Sequence, residues 1–88
     1  MSAIPDATIA AIRRYVDHGI PPGGFLLAVL GNDLCEACAR ADDGNARALA
    51  AIVAYLYNET PAGCWGSPER VADWLTAKSQ ERASTVRP

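Results

Sequence analysis

The chain has 88 residues, half of them apolar, and a formal net charge of −2. That is one domain's worth of sequence, and at this size folding buries only about 60% of the surface that an unfolded chain exposes. Apart from the Arg13–Arg14 pair, Lys and Arg are scattered without runs, which argues against a nucleic-acid partner, and no stretch approaches the roughly 18 apolar residues of a membrane span.

Much of the apolar half is alanine, so Leu, Ile, Val, Phe and Trp must carry a thin core. A short helical chain of this kind gains burial by association, and a homodimer is expected on that ground. Nine acidic and six basic residues up to position 80 leave that region at −3, which favours a basic host protein as partner. The start MSAIPDATIAAIRR lacks the basic segment and apolar run of a signal peptide. With three cysteines that cannot all pair among themselves, the expectation is reduced thiols in a cytoplasm.

The first predicted helix covers Pro5 to His18. Pro5 suits a first turn, Asp6 complements the helix dipole, and Ile9, Ile12 and Val16 share a face, with Arg13, Arg14 and Asp17 on the solvent side and Gly19 as the stop. A second, short helix from Pro22 to Leu30 is apolar almost all round, which implies burial on more than one side. Gly31 then serves as its stop and Asn32 as the N-cap of a third helix over Asp33 to Ala41, with one helix kinked at Gly31 as the alternative. The turn Asp42-Asp43-Gly44-Asn45 caps a fourth helix from Asp43 to Tyr57, whose stripe is Leu49, Ile52, Val53 and Leu56. Pro61, Gly63 and Gly66 break the pattern. Ser67 and Pro68 open a fifth helix, with Val71, Trp74 and Leu75 on one face, that fades near Lys78.

The expected architecture is therefore all-α, a compact bundle of four to five short helices in a single domain over residues 1–78. Its seam is Phe25, Val29, Leu49, Ile52, Leu56 and Trp74, and a polar, disordered tail covers 79–88.

No motif specifies a reaction. Cys35 and Cys38 form a C-x-x-C that Cys64 and His18 would complete as a zinc set, but the pair lies inside a predicted helix and the other ligands are unusually spaced. Asp33, Glu36, Asp42 and Asp43 do not have the spacing of an EF-hand, and helix capping accounts for them. His18 sits beside a helix end, where the dipole explains it. No cofactor, metal or catalytic residue is assigned. Gly23 and Gly24 could expose backbone N–H groups to a phosphate, although PPGG is neither a Walker loop nor G-x-G-x-x-G. Of the aromatic residues gathered in the second half, Trp74 is expected in the core. Trp65, between two glycines and near Tyr55 and Tyr57, is expected to plug the core or contact a partner.

The segments GIPPGGFLLAVLGNDL, ACARADDGN, IVAYLYNETP and CWGSPERVADWL together resemble a family of small uncharacterised helical proteins encoded by phages and prophages, over about residues 15 to 75. CEAC lies outside that pattern. The resemblance implies a phage accessory protein acting in the host cytoplasm, a class that often binds and disables a host protein, as inhibitors of host defence systems do. The first expectation is thus a non-enzymatic protein that holds a host protein through Asn32, Asp33, Asp42, Asn45 and Trp65. The alternative is a nucleotide-binding protein or sponge that uses Gly23 and Gly24 with Arg13 or Arg14. A metal-dependent enzyme is a weaker third.

Overall fold

A computed structural model of the chain describes residues 4–86, and among these every regular element is helical. The order is α1 (Asp6–His18), α2 (Gly24–Leu30), α3 (Leu34–Arg40), α4 (Asp43–Arg47), α5 (Leu49–Glu59), a 3-10 turn (Ala62–Cys64) and α6 (Pro68–Val86). The all-α expectation holds, with six α-helices in place of four to five. Helices α2 and α3 pack against each other, and α6 packs against α1, α2 and the 3-10 turn.

The core is drawn from nearly every element. Ile12, Tyr15 and Val16 of α1 meet Leu26, Ala28, Val29 and Leu30 of α2, together with Ala37, Ala48, Ile52, Leu56, Cys64 and Val71. The short α2 is the central helix, buried on more than one side as its composition requires. Half of the expected seam is fully inside: Val29, Ile52 and Leu56 are buried, whereas Phe25, Leu49 and Trp74 pack against the core with one side open. Tyr15, which the helical stripe of α1 passes over, is fully buried.

Tyr15 works at both ends. Its hydroxyl donates to the Cys64 carbonyl at 2.6 Å, and its own carbonyl accepts the Trp74 indole N–H at 3.3 Å. One residue therefore holds both the 3-10 turn and α6 on α1. Gly19 ends α1 in the left-handed conformation at φ 67°, and a Cβ there would collide with Lys78 of α6. Glycine is required both by the backbone and by the approach of the last helix.

Three boundaries differ from the sequence-based expectation. Asn32 is not an N-cap: at φ 62° it makes the left-handed corner between α2 and α3, and Asp33 caps α3 by accepting from the Glu36 amide at 3.2 Å. Asparagine tolerates that region, so the corner breaks the chain into two helices, not one kinked helix. The predicted fourth helix is split at Ala48, whose amide is shared between the Gly44 and Asn45 carbonyls. Within α4, Asn45 is tied to α1, accepting from Thr8 Oγ1 at 2.6 Å, and Asp42 caps the helix through the Asn45 amide at 2.8 Å.

The third difference is at the end of the chain. Residues 79–86, expected as disordered tail, continue α6, while Arg87 and Pro88 lie outside the described residues. Good helix formers lead into that stretch without a breaker, and Lys78 supports it through Glu81 at 3.5 Å while lying 5.2 Å from the Trp74 ring. No helix of the described residues is long and apolar enough to cross a membrane.

Tyr15→Phe keeps the ring but leaves a buried carbonyl without its donor, and should cost about 1–3 kcal/mol in urea unfolding. Burial pushes the Tyr15 hydroxyl well above the ordinary tyrosine range. The unfolded chain loses this proton near pH 10 and the folded chain retains it, so the stabilisation is complete below about pH 10 and declines as pH rises past it. Urea midpoints taken up to about pH 11 should fall in the wild type and fall less steeply in Tyr15→Phe. Gly19→Ala should lose more than about 1 kcal/mol, whereas Gly63→Ala, where a Cβ meets open space and φ is not positive, should gain about 0.4–1 kcal/mol.

Candidate functional site

The segment after α5 is shaped residue by residue. Pro61 forces the residue before it out of the helix, and Thr60 is extended at φ −132° and ψ 159°, its hydroxyl donating back to the Leu56 carbonyl at 2.6 Å. The 3-10 turn then buries Cys64. Gly66, at φ 117°, turns the chain so that its amide donates to the Leu30 carbonyl at 2.8 Å. This seats the loop on the last residue of α2, beside the Asn32 corner. Ser67 caps α6 by accepting from the Arg70 amide at 3.1 Å, which fixes Arg70 in the first turn. From there its Nη1 reaches back to the carbonyls of Ala62 and Trp65, both at 3.4 Å.

The product is a cleft of about 550 Å³ lined by Asn32, Tyr57, Ala62, Trp65, Gly66 and Arg70. Trp65 is half-buried and forms its inner wall, whereas Tyr57 is 77% exposed. A smaller hollow, lined in part by Leu34, Leu49 and Val53, shares Asn32 with the cleft. Leu34 and Val53 are exposed large apolar residues as well, so an apolar surface runs from α3 across α5 to the loop.

Not all of the sequence-predicted surface falls here. Asn32 and Trp65 come together in the cleft. Asp33 points its carboxylate at its own helix as a cap, and lines the hollow and a second cleft of about 530 Å³ between α2, α3 and α6. Asp42 and Asn45 line a separate groove with Gly23 and Gly24, and both are engaged, one as the α4 cap and the other with Thr8. The five residues therefore belong to two faces.

The predicted ligand set is also divided. Neither Arg13 nor Arg14 lines the groove that holds Gly23 and Gly24, and the arginine beside Gly24 is Arg40, which is paired with Glu36 at 2.7 Å. Asp42 adds a carboxylate that offsets Arg40 in that groove, so the groove offers a phosphate no net positive charge. Arg13 pairs with Asp17 at 2.9 Å, and Tyr55 first, then Asp17, raises its pKa. Arg14 is exposed on α1. A cavity's size does not separate the candidates here, but its free chemistry does. The cleft between α2, α3 and α6 has its charged groups committed to a cap and an ion pair, while the Tyr57–Trp65 cleft does not.

Cys35 and Cys38 are exposed on α3, and Cys64 is buried with its thiol pushed up by burial. Among the described residues no three of His, Cys, Asp and Glu come together as a metal group. Sequence reasoning left Tyr57 outside the predicted surface, noting it only among the aromatic residues of the second half, and did not single out Arg70 for any role. The signal for Arg70 was the Ser67-Pro68 start, which places position 70 in the first turn facing the loop it follows. No family model, characterised protein or solved structure matches the chain.

The exposure pattern makes a prediction for thiol chemistry. An aromatic disulfide reagent such as Ellman's should titrate two thiols quickly in the native protein and the third only after denaturation. The Cys35→Ser, Cys38→Ser double variant should lose the whole fast phase.

Proposed function

We propose that this chain is a small non-enzymatic binding protein that engages a host protein through the cleft between the end of α5, the 3-10 turn and the start of α6. The observation that carries the reading is the composition of that cleft. Trp, Tyr and Arg are the residue types that dominate binding energy at protein interfaces, and here Trp65, Tyr57 and Arg70 line one hollow, bordered by the exposed apolar residues Leu34 and Val53. Trp65 packs against the core and Arg70 is held by two loop carbonyls, so those two lose little conformational freedom on docking. In keeping with the resemblance to phage and prophage proteins, the partner is a protein of the bacterial host and the outcome is modulation of that protein, as an inhibitor of a defence system would achieve.

Tyr57→Ala tests the reading without endangering the fold, because the side chain it removes is largely in solvent. Host proteins captured by the immobilised wild type should be identified, purified and titrated against the variant. A hot-spot tyrosine predicts a loss of about 2 kcal/mol, or roughly 30-fold in Kd. A captured protein that binds Tyr57→Ala and Trp65→Ala as tightly as the wild type would refute the assignment.

A further inference from the structure

We infer that the Tyr57–Trp65 cleft takes an acidic peptide segment, one whose Asp or Glu carboxylate reaches Arg70 while a neighbouring aromatic or large aliphatic side chain lies against Tyr57 and Trp65. This rests on the reading of the cleft as the binding face and adds the chemistry of what enters it.

Among the described residues Arg70 is the only charged one that lines the cleft. Arg13 and Arg40 on other faces are each paired with a carboxylate one helical turn away, but among the described residues no carboxylate pairs with Arg70. Its guanidinium is nevertheless positioned, because Nη1 is held over the loop by the Ala62 and Trp65 carbonyls. Gly66 permits this: a Cβ there would lie 3.3 Å from Nη1. Of the five N–H groups of an arginine, those on Nε and Nη2 have no partner among the described residues, and they form the edge that donates two parallel bonds to a carboxylate.

The negative charge of the whole chain favours a basic partner, but at this cleft the local charge has the opposite sign, and a cation without a counter-ion at the end of an apolar surface selects for a negative group. A nucleic acid needs a track of cations, which one arginine does not supply. The apolar walls then specify what must accompany the charge. Tyr57 and Trp65 supply aromatic rings to the cleft, and Asn32 lines it with an amide suited to the backbone of an extended segment.

The test is selection of displayed random nonapeptides on the full chain, followed by titration of synthetic winners. Enriched sequences should place Asp or Glu within a few residues of Trp, Phe, Tyr or Leu. Changing that acid to its amide should weaken binding about tenfold or more, as should Arg70→Gln in the protein. The amide peptide leaves the protein untouched, so the result does not depend on how well Arg70→Gln folds. Winners without an acidic residue, or winners indifferent to both changes yet lost on Tyr57→Ala, overturn the carboxylate assignment and leave the cleft standing. Winners indifferent to Tyr57→Ala as well remove the cleft itself. A selection that enriches nothing, or adenosine monophosphate displacing a winner through the same aromatic pair, also overturns the inference.

Discussion

The arrangement depends on one buried phenol. A domain of this size has little core to spare, and most of its helices are too short to be stable by themselves. What joins the first third of the chain to the last is Tyr15, with a ring that fills the centre, a hydroxyl that holds the Cys64 carbonyl and a carbonyl that receives the Trp74 indole. The hydroxyl bond is buried, so its loss would leave a polar atom in the interior with no water to replace it. Cys64 precedes Trp65 directly. The same bond that stabilises the fold therefore sets the position of the cleft's inner wall.

Most polar side chains with a defined geometry are spent on architecture. Asp33, Asp42 and Ser67 cap three helices, Thr60 closes the end of α5, and Thr8 and Asn45 join α1 to α4. Arg13 and Arg40 are matched by acids on their own helices. Once these are accounted for, Asn32 and Arg70 are the polar residues left at the cleft, next to the most exposed aromatic ring of the described residues. An asparagine and a glycine with positive φ, 62° and 117°, bracket it, two residue types that take such corners readily, so the turns that frame the binding face are built without strain.

The fold was largely legible from periodicity and punctuation because those signals are local. Ile12 and Val16, Ile52 and Leu56, and the Ser67-Pro68 start behave as their spacing requires. What escaped was set by tertiary partners. Tyr15 lies on the flank of the α1 stripe, three residues after Ile12, and its buried hydroxyl is satisfied by a carbonyl forty-nine residues away. The break at Ala48 reflects a side chain of α4 being held by α1, which no propensity of that segment encodes. The site followed the same rule. Asn32 and Trp65 were readable as turn residues with something to display, but Asp42 and Asn45 share the look of surface polar residues while being consumed by a cap and a long-range bond. Arg70 was invisible because it matters only once Gly66 folds the loop back beneath it.

Magnitudes decide how much of the surface a partner must cover. A tyrosine ring buries about 150–250 Å², so covering one that is 77% exposed returns roughly 3–5 kcal/mol at 25 cal/mol per Å². Association consumes about 4–15 kcal/mol in lost rigid-body freedom before any affinity appears. Tyr57 alone is therefore insufficient, and Leu34 and Val53 must be covered as well for micromolar binding. An ion pair at Arg70 adds little while exposed, but beneath a partner that excludes water it becomes the element that chooses among apolar ligands. The apolar strip thus supplies strength and the arginine supplies selection. Both reach full effect only when a single partner spans the surface from α3 to the first turn of α6.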